Sequence, residues 1–207
     1  MKRVILTGFD VFGPYKFNPT RDLAVEYQGK RLGDVEIVGI VLPATYYGAF
    51  EMLSEAIDRF FPDTILSTGL ASFVPRLRLE SVGRNNMSGK YADADGRKPV
   101  NQPLIQGGKE YYRINADNVR LANSLFEAGI PSDVSVDAET FICNSLIYLT
   151  AMKIEEQGLQ IKYAHFHTPW AVGYLDRVAL EPGKTTISDA DLRKATEIII
   201  RDLAKTC

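Results

Sequence analysis

Val4-Ile5-Leu6-Thr7-Gly8-Phe9, near the amino terminus, is a near-continuous apolar run. A strand covered on both faces reads this way, whereas a half-exposed strand alternates. The next stretch, Asp10 to Pro19, is a loop with Phe12, Gly13, Pro14 and Asn18-Pro19, and Thr20 can cap a short helix to Tyr27. Val35 to Leu42 reads as a second strand, ended by Pro43. Tyr46, Phe50, Leu53 and Ile57 stand at helical spacing within 46–61, and Pro62 stops that helix. Thr64 to Thr68 is a third strand, followed by Gly69. Strand, helix, strand, helix, strand with short connections indicates an α/β layer fold.

Beyond it the rhythm breaks. Arg76, Leu77, Arg78, Leu79 and Glu80 alternate with period two within 75–82, as in a half-exposed strand or hairpin arm. Gly83 to Gly108 is rich in Gly, Asn, Asp and Pro, and internal loops of this length are usually functional or disordered. Tyr111 to Ile114 reads as a returning strand, and Asn115 can cap a helix from Ala116 to Ala128, closed by Gly129-Ile130-Pro131. Asp133 to Asp137 is a short extended run. From Asn144 a helix carries Leu146, Ile147, Leu149 and Met152 on its apolar stripe and ends near Gly158. Ile161 to His167 is another strand, ended by Pro169. After a loop through Gly173 and Gly183, Ser188-x-x-Asp191 opens a last helix to about Ala204. Without repeats or linkers, residues 1–207 are expected to form one domain.

Composition narrows the partners. The chain has 45% hydrophobic and 24% charged residues, ordinary globular values, and a net charge of −2. That balance argues against nucleic acid and anionic membrane surfaces, both of which want a basic face. No apolar run is long enough to span a bilayer, and the run after Lys2-Arg3 ends too soon for a signal peptide, so a cytoplasmic protein is expected. Two cysteines do not make a disulfide framework, and Cys207 is the last residue. Neither HExxH nor CxxC occurs, so no metal is expected, His165 and His167 being the only close pair of possible ligands.

Chemistry centres on Cys143, which falls at or just before the start of the helix from Asn144. A thiol there meets unpaired backbone N–H groups and the positive end of the helix dipole, which favour a thiolate nucleophile. The competing reading is a buried cysteine that only packs. Hydrolysis of an amide by a thiolate also needs an imidazole, a group to hold it, and donors for the oxyanion. His165 and His167, two apart on one strand, point to the same face. His167 lies at the strand's carboxyl end, where α/β sheets gather their ligand sites, while His165 reads as a core histidine. Glu80 leads from the alternating arm into the long loop, yet from the residues alone it reads better as one half of an ion pair with Arg78 or Arg76 on a solvated face.

Thr7-Gly8-Phe9-Asp10-Val11-Phe12-Gly13 with Asn18-Pro19 resembles the amino-terminal signature of the pyroglutamyl peptidase I (pyrrolidone-carboxylate peptidase) family. Glu80-Ser81-Val82-Gly83-Arg84-Asn85 is similar to its glutamate motif, and Asp95-Gly96-Arg97-Lys98-Pro99 with Gln102-Pro103 to its downstream loop. Thr140-Phe141-Ile142-Cys143-Asn144 with Tyr148 is similar to its cysteine motif, and Phe166-His167-Thr168-Pro169 to its histidine motif. The resemblance implies a single-domain three-layer α/β/α fold around a twisted, mostly parallel (mixed) sheet. It implies a cytoplasmic, cofactor-free cysteine peptidase acting on peptides with N-terminal pyroglutamate, commonly a homotetramer and here a tetramer or dimer. The triad it implies is Cys143, His167 and Glu80. Phe9, Phe12, Phe141 and Ile142 fall on pocket positions, and an oxyanion donor is expected from the Cys143 N–H and near Arg84.

A pyroglutamyl residue is a flat, uncharged lactam, so an apolar aromatic pocket suits it; Phe9 and Phe12 can form that wall or simply pack in the core. The chain departs from the family's pattern in three places. Glu139 stands where Gly usually precedes the Thr, Leu70 to Pro75 lacks the usual Gly-containing turn, and Arg84 to Gly89 is less hydrophobic than usual. Two other readings stay open: a non-catalytic or specificity-drifted relative, and a nucleotide-binding module using Gly8 to Gly13, although no Gly-Lys-Ser/Thr follows.

Overall fold

Consecutive residues of a strand face opposite ways, and the first apolar run is covered both ways. Ile5 and Phe9 pack into one hydrophobic core, Val4 and Leu6 into another. The computed structural model describes residues 1–13, 15–176 and 185–205; Pro14, Gly183 and Cys207 lie outside the described residues. In chain order the elements are β1 (Lys2–Phe9), α1 (Pro19–Tyr27), β2 (Arg31–Leu32), β3 (Val35–Leu42), α2 (Gly48–Phe60), β4 (Thr64–Leu70), β5 (Leu77–Glu80) and β6 (Val82–Arg84). They continue as β7 (Tyr111–Arg113), α3 (Asn118–Glu127), β8 (Ser132–Ser135), α4 (Ile142–Glu156), β9 (Lys162–Thr168), β10 (Trp170–Ala171), β11 (Thr186–Ile187) and α5 (Asp189–Lys205).

Seven strands make one sheet in the order β2-β3-β1-β4-β9-β5-β8. β1 pairs in parallel with β3 and β4, β4 with β9, and β5 with β8; β2 on β3 and β5 on β9 are antiparallel. The helices divide by face. Leu53 and Ile57 of α2 and Leu146 and Ile147 of α4 share a core with Ile5, Ile65 and Tyr163. Leu23 of α1, Leu121 of α3 and Ile199 of α5 share the other with Val4, Leu66 and Phe166. The result is a three-layer α/β/α arrangement around a mixed, mostly parallel sheet, as the resemblance implied.

Several local expectations shift. Asn18, not Thr20, caps α1: its side chain accepts from Thr20 N at 3.1 Å, and Pro19 takes the first helical position, where a missing N–H costs nothing. Thr20 instead uses its hydroxyl to accept from Phe9 N across the β1–α1 connection. Asp117 caps α3 by accepting from Arg120 N at 3.0 Å. Asn115 is drawn away to β9, donating to Ile161 O and accepting from Tyr163 N, both at 2.8 Å. Tyr46 stays outside α2, and its N–H donates to Asp93 Oδ2. The alternating arm is no exposed hairpin arm: β5 lies between β9 and β8, and both Arg78 and Glu80 line a cleft.

The stretch from Gly83 to Gly108 is tied down by its polar side chains. β6 pairs with β7, and Met87 bridges to Gln102. Asn85 accepts from Ile105 N and donates to Ile105 O, while Asp93 accepts from the N–H groups of Tyr46, Asp95 and Arg97. These bonds add to the core contacts of Met87 and Leu104, and they bring Ser88 to Tyr91 onto the cavity rim.

Candidate active site

β1, β4 and β9 are parallel, so their carboxyl ends at Phe9, Leu70 and Thr168 lie at one edge of the sheet. Because β3 and β4 flank β1 on opposite sides, the connections after β1 and β4 diverge there, the place where open α/β sheets leave a crevice. A cavity of about 920 Å³ fills it. Phe12, Tyr15 and Lys16 come from the first connection, Ala71, Ser72 and Phe73 from the second, and Phe141, Ile142 and Cys143 from the start of α4.

Cys143 is the second residue of α4 and lines that cavity. Phe141 is the N-cap residue in extended conformation, and its side chain makes no capping bond. The first-turn N–H groups around Cys143 therefore have no intrahelical acceptor and are free to meet an anion. Asn144 aims the turn: it accepts from Arg84 N at 2.7 Å and donates to Arg84 O and Asn86 O, both at 2.9 Å. β6 follows β5 directly, so this clamp ties the thiol to the strand that ends in Glu80. Gly83 permits the contact, since a Cβ there would lie 2.3 Å from Tyr148 N in the α4 backbone.

His167 stands at the end of β9, almost wholly buried, and its Nδ1 is 2.8 Å from Glu80 Oε1. Glu80 is itself fully buried, and Arg76 pairs with Asp133 instead. Donor atoms of Cys143 and His167 lie within 4.8 Å of each other. Burial alone would push the His167 pKa down. The charge of Cys143 and its hydrogen bond, with those of Glu80, overcome that and raise it to about 10. Gly69, opposite His167 in the β4–β9 register, makes room for the sulfur: a Cβ there would lie 2.7 Å from Sγ.

His165, one rung inside, is fully buried, with Ser67 Oγ 2.7 Å from its Nδ1 and Tyr163 OH 3.0 Å beyond. Burial first, and the nearby His167 second, hold its pKa well below the ordinary value.

The expected wall residues Phe9, Phe12, Phe141 and Ile142 all line the cavity. Phe12 lies 6.1 Å from Phe141 between ring centroids, and Phe141 packs edge-on against Tyr46 at 5.5 Å. Tyr15 and Trp170 extend the aromatic lining. The sequence reading missed them, together with Gly69 and Asn144. Asn144 was legible only as the residue after Cys143, because its acceptors lie some sixty positions away.

Arg84 is not brought to the cavity. Its N–H is taken by Asn144 and its guanidinium reaches Val136 O, so it supplies no oxyanion donor in this arrangement. The nucleotide-loop reading of Gly8 loses its basis, since that glycine lets α1 pack closely: a Cβ would stand 1.8 Å from Thr20 O. Glu139, in the position where the resemblance leads one to expect Gly, adopts φ 60°, the left-handed region that Gly occupies freely. Its N–H donates to Asp137 Oδ1, and it lies on the cavity rim.

An α/β fold with a thiol at a helix start, facing a buried imidazole held by a carboxylate, defines a cysteine hydrolase of the peptidase type. The comparisons with known proteins make the class specific. The family model for pyroglutamyl peptidase matches residues 2–197, and the chain belongs to that family. A pyrrolidone-carboxylate peptidase of Bacillus mycoides is 32% identical over 200 residues, 97% of this chain and 92% of the relative. Among solved structures, pyroglutamyl peptidase I of Bacillus amyloliquefaciens superposes with a TM-score of 0.88 at 29% identity, covering 96% of this chain and 94% of that one. Pyrrolidone carboxyl peptidase of Pyrococcus furiosus gives 0.92 at 25% identity over 99% of both chains.

Proposed function

We propose that this protein hydrolyses the amide bond after an N-terminal pyroglutamyl residue of peptides, using Cys143 as nucleophile, His167 as acid and base, and Glu80 to orient it. The observation that carries the reading is the 2.8 Å bond from His167 Nδ1 to Glu80, with the thiol on the ring's other side and both groups open to one aromatic cavity. The Cys143 thiolate attacks the pyroglutamyl carbonyl, and the oxyanion is met by the Cys143 N–H at the helix start. His167 gives its proton to the departing amine, leaving a thioester. Water, deprotonated by the same imidazole, attacks the thioester and releases pyroglutamate and the thiolate. Glu80 keeps Nδ1–H engaged throughout, so Nε2 stays turned to the sulfur.

Specificity follows from the walls. Phe9, Phe12, Phe141 and Ile142 offer an apolar slot for the lactam, and the cavity of about 920 Å³ leaves room for the residues that follow it. The reading extends to a cytoplasmic homo-oligomer, a tetramer or dimer, which sedimentation of the purified protein measures. Among the described residues no helix is long and apolar enough to cross a membrane.

The experiment is release of a fluorogenic amine from a pyroglutamyl amide beside a matched prolyl amide with a free amine. Turnover of the first alone is expected. Equal turnover of both removes the specificity, and turnover of neither removes the activity.

A further inference from the structure

His165 takes no part in the hydrolysis just described, yet it adjoins the thiol and imidazole that do. It is fully buried; Nδ1 has Ser67 Oγ at 2.7 Å, while Nε2 has no partner among the described residues. Its ring stands edge-on to that of His167, with centroids 4.9 Å apart. One donor atom each from Cys143, His165 and His167 lies within 4.8 Å of the other two. An unpartnered buried ring nitrogen is costly, which makes it a ready ligand for a cation that can accept its lone pair.

We propose that Cys143, His165 and His167 form a reversible inhibitory site for a borderline-soft divalent cation of the Zn²⁺ type. One sulfur and two imidazole nitrogens are the donors such ions take, with a fourth position left open, whereas Mg²⁺ and Ca²⁺ want oxygen. Bonds of about 2.0–2.3 Å in a tetrahedron put donors about 3.3–3.6 Å apart, so the set closes by roughly 1 Å around the ion. The surrounding bonds already suit it. Glu80 holds Nδ1 of His167 and Ser67 holds Nδ1 of His165, the arrangement that turns each Nε2 toward a metal. Cys143 and His167 line the cavity, so the ion enters from there and its open position faces it. Occupancy engages the sulfur lone pair and Nε2 of His167, and the displaced protons leave to solvent. The inhibition rests on the peptidase reading; the binding does not.

The test compares wild type with His165→Asn, whose short amide can keep the Ser67 bond but cannot supply a donor where Nε2 lies. The half-inhibiting Zn²⁺ concentration for amide release should rise roughly a hundredfold or more in the variant. Its uninhibited kcat/KM should stay within about tenfold of wild type. Co²⁺ alone, followed by absorption, should bind wild type at one ion per chain, with a thiolate charge-transfer band and tetrahedral d–d bands. Those features should vanish in Cys143→Ser and weaken in His165→Asn; His165→Phe replaces the latter if it does not fold. Unchanged Zn²⁺ sensitivity in a folded His165 variant, or a wild type without the cobalt bands, overturns the site. Cobalt bands in a wild type that turns over no amide would sink the peptidase reading and leave the metal site standing.

Discussion

His165 and His167 lie on the same strand, face the same way and are both buried, yet their protons behave oppositely. At the end of β9, burial disfavours the imidazolium but Cys143 and Glu80 more than repay it, and the pKa rises to about 10. One rung in, His165 has the hydroxyl of Ser67 and the ring of His167 as neighbours, and burial first and His167 second hold its pKa well below the ordinary value. The β4 residues opposite complete the contrast. Gly69 leaves a space that the sulfur occupies, and Ser67 fills the equivalent space with a hydrogen-bonding group. Two residues along a strand therefore separate an imidazole whose pKa its charged neighbours raise from one whose pKa burial lowers.

The largest test removes the sulfur. Cys143→Ser should cut pyroglutamyl-amide turnover by roughly four orders of magnitude or more, read in single-turnover assays. Residual turnover close to wild type would mean that the reaction centre lies elsewhere.

Glu80→Gln should lower kcat by about two to four orders of magnitude, because the imidazole loses the group that fixes its orientation. It should also move the His167 pKa down from about 10, visible by NMR of the labelled ring. The sign for stability follows. A folded pKa raised above the unfolded 6.5 contributes stabilisation that is complete below about pH 6.5 and is lost as pH rises to about 10. Urea unfolding of wild type should weaken across that window, and the variant should show a flatter profile. An unaltered profile would separate the two residues energetically and break the contrast drawn above.

Gly69→Ala should cost about a hundredfold in kcat/KM, since a Cβ 2.7 Å from Sγ must displace the Cys143 sulfur. Ser67→Ala, at the other rung, should leave kcat/KM within about tenfold but destabilise the fold by about 1–3 kcal/mol in urea, the cost of stripping a buried ring nitrogen of its partner. Equal kinetic effects from Gly69→Ala and Ser67→Ala would erase the distinction between the rungs. The smallest effect is expected on the rim, where Glu139→Gly should stabilise by about 1 kcal/mol or less by relieving a left-handed backbone, with kcat/KM unchanged. A loss of more than about 1 kcal/mol would show that the glutamate side chain itself holds the turn.

Much of this was legible in local pattern. The strand at Val35–Leu42 and the helix behind Cys143 are written in their apolar spacing, and the order of motifs pointed to Glu80 and His167. Caps were half legible. Asn18-Pro19 carries the signature of a helix start, but the capping side chain was sought two residues too late, at Thr20. Asn115 looked like a cap because nothing local reveals that β9 will compete for its amide.

What the chain alone determined is the alternation of strands and helices, since each element's buried face is a periodic property of neighbouring residues. It also determined the placement of a thiol at a helix start. What only the folded molecule decided is the environment of each polar side chain. Whether Glu80 faces solvent or a histidine, whether Arg84 is a donor or is consumed by Asn144, and whether a ring carries charge all depend on atoms that the sheet register brings together from far apart in the chain. The energies involved fall steeply with distance and rise with burial, and linear order encodes neither.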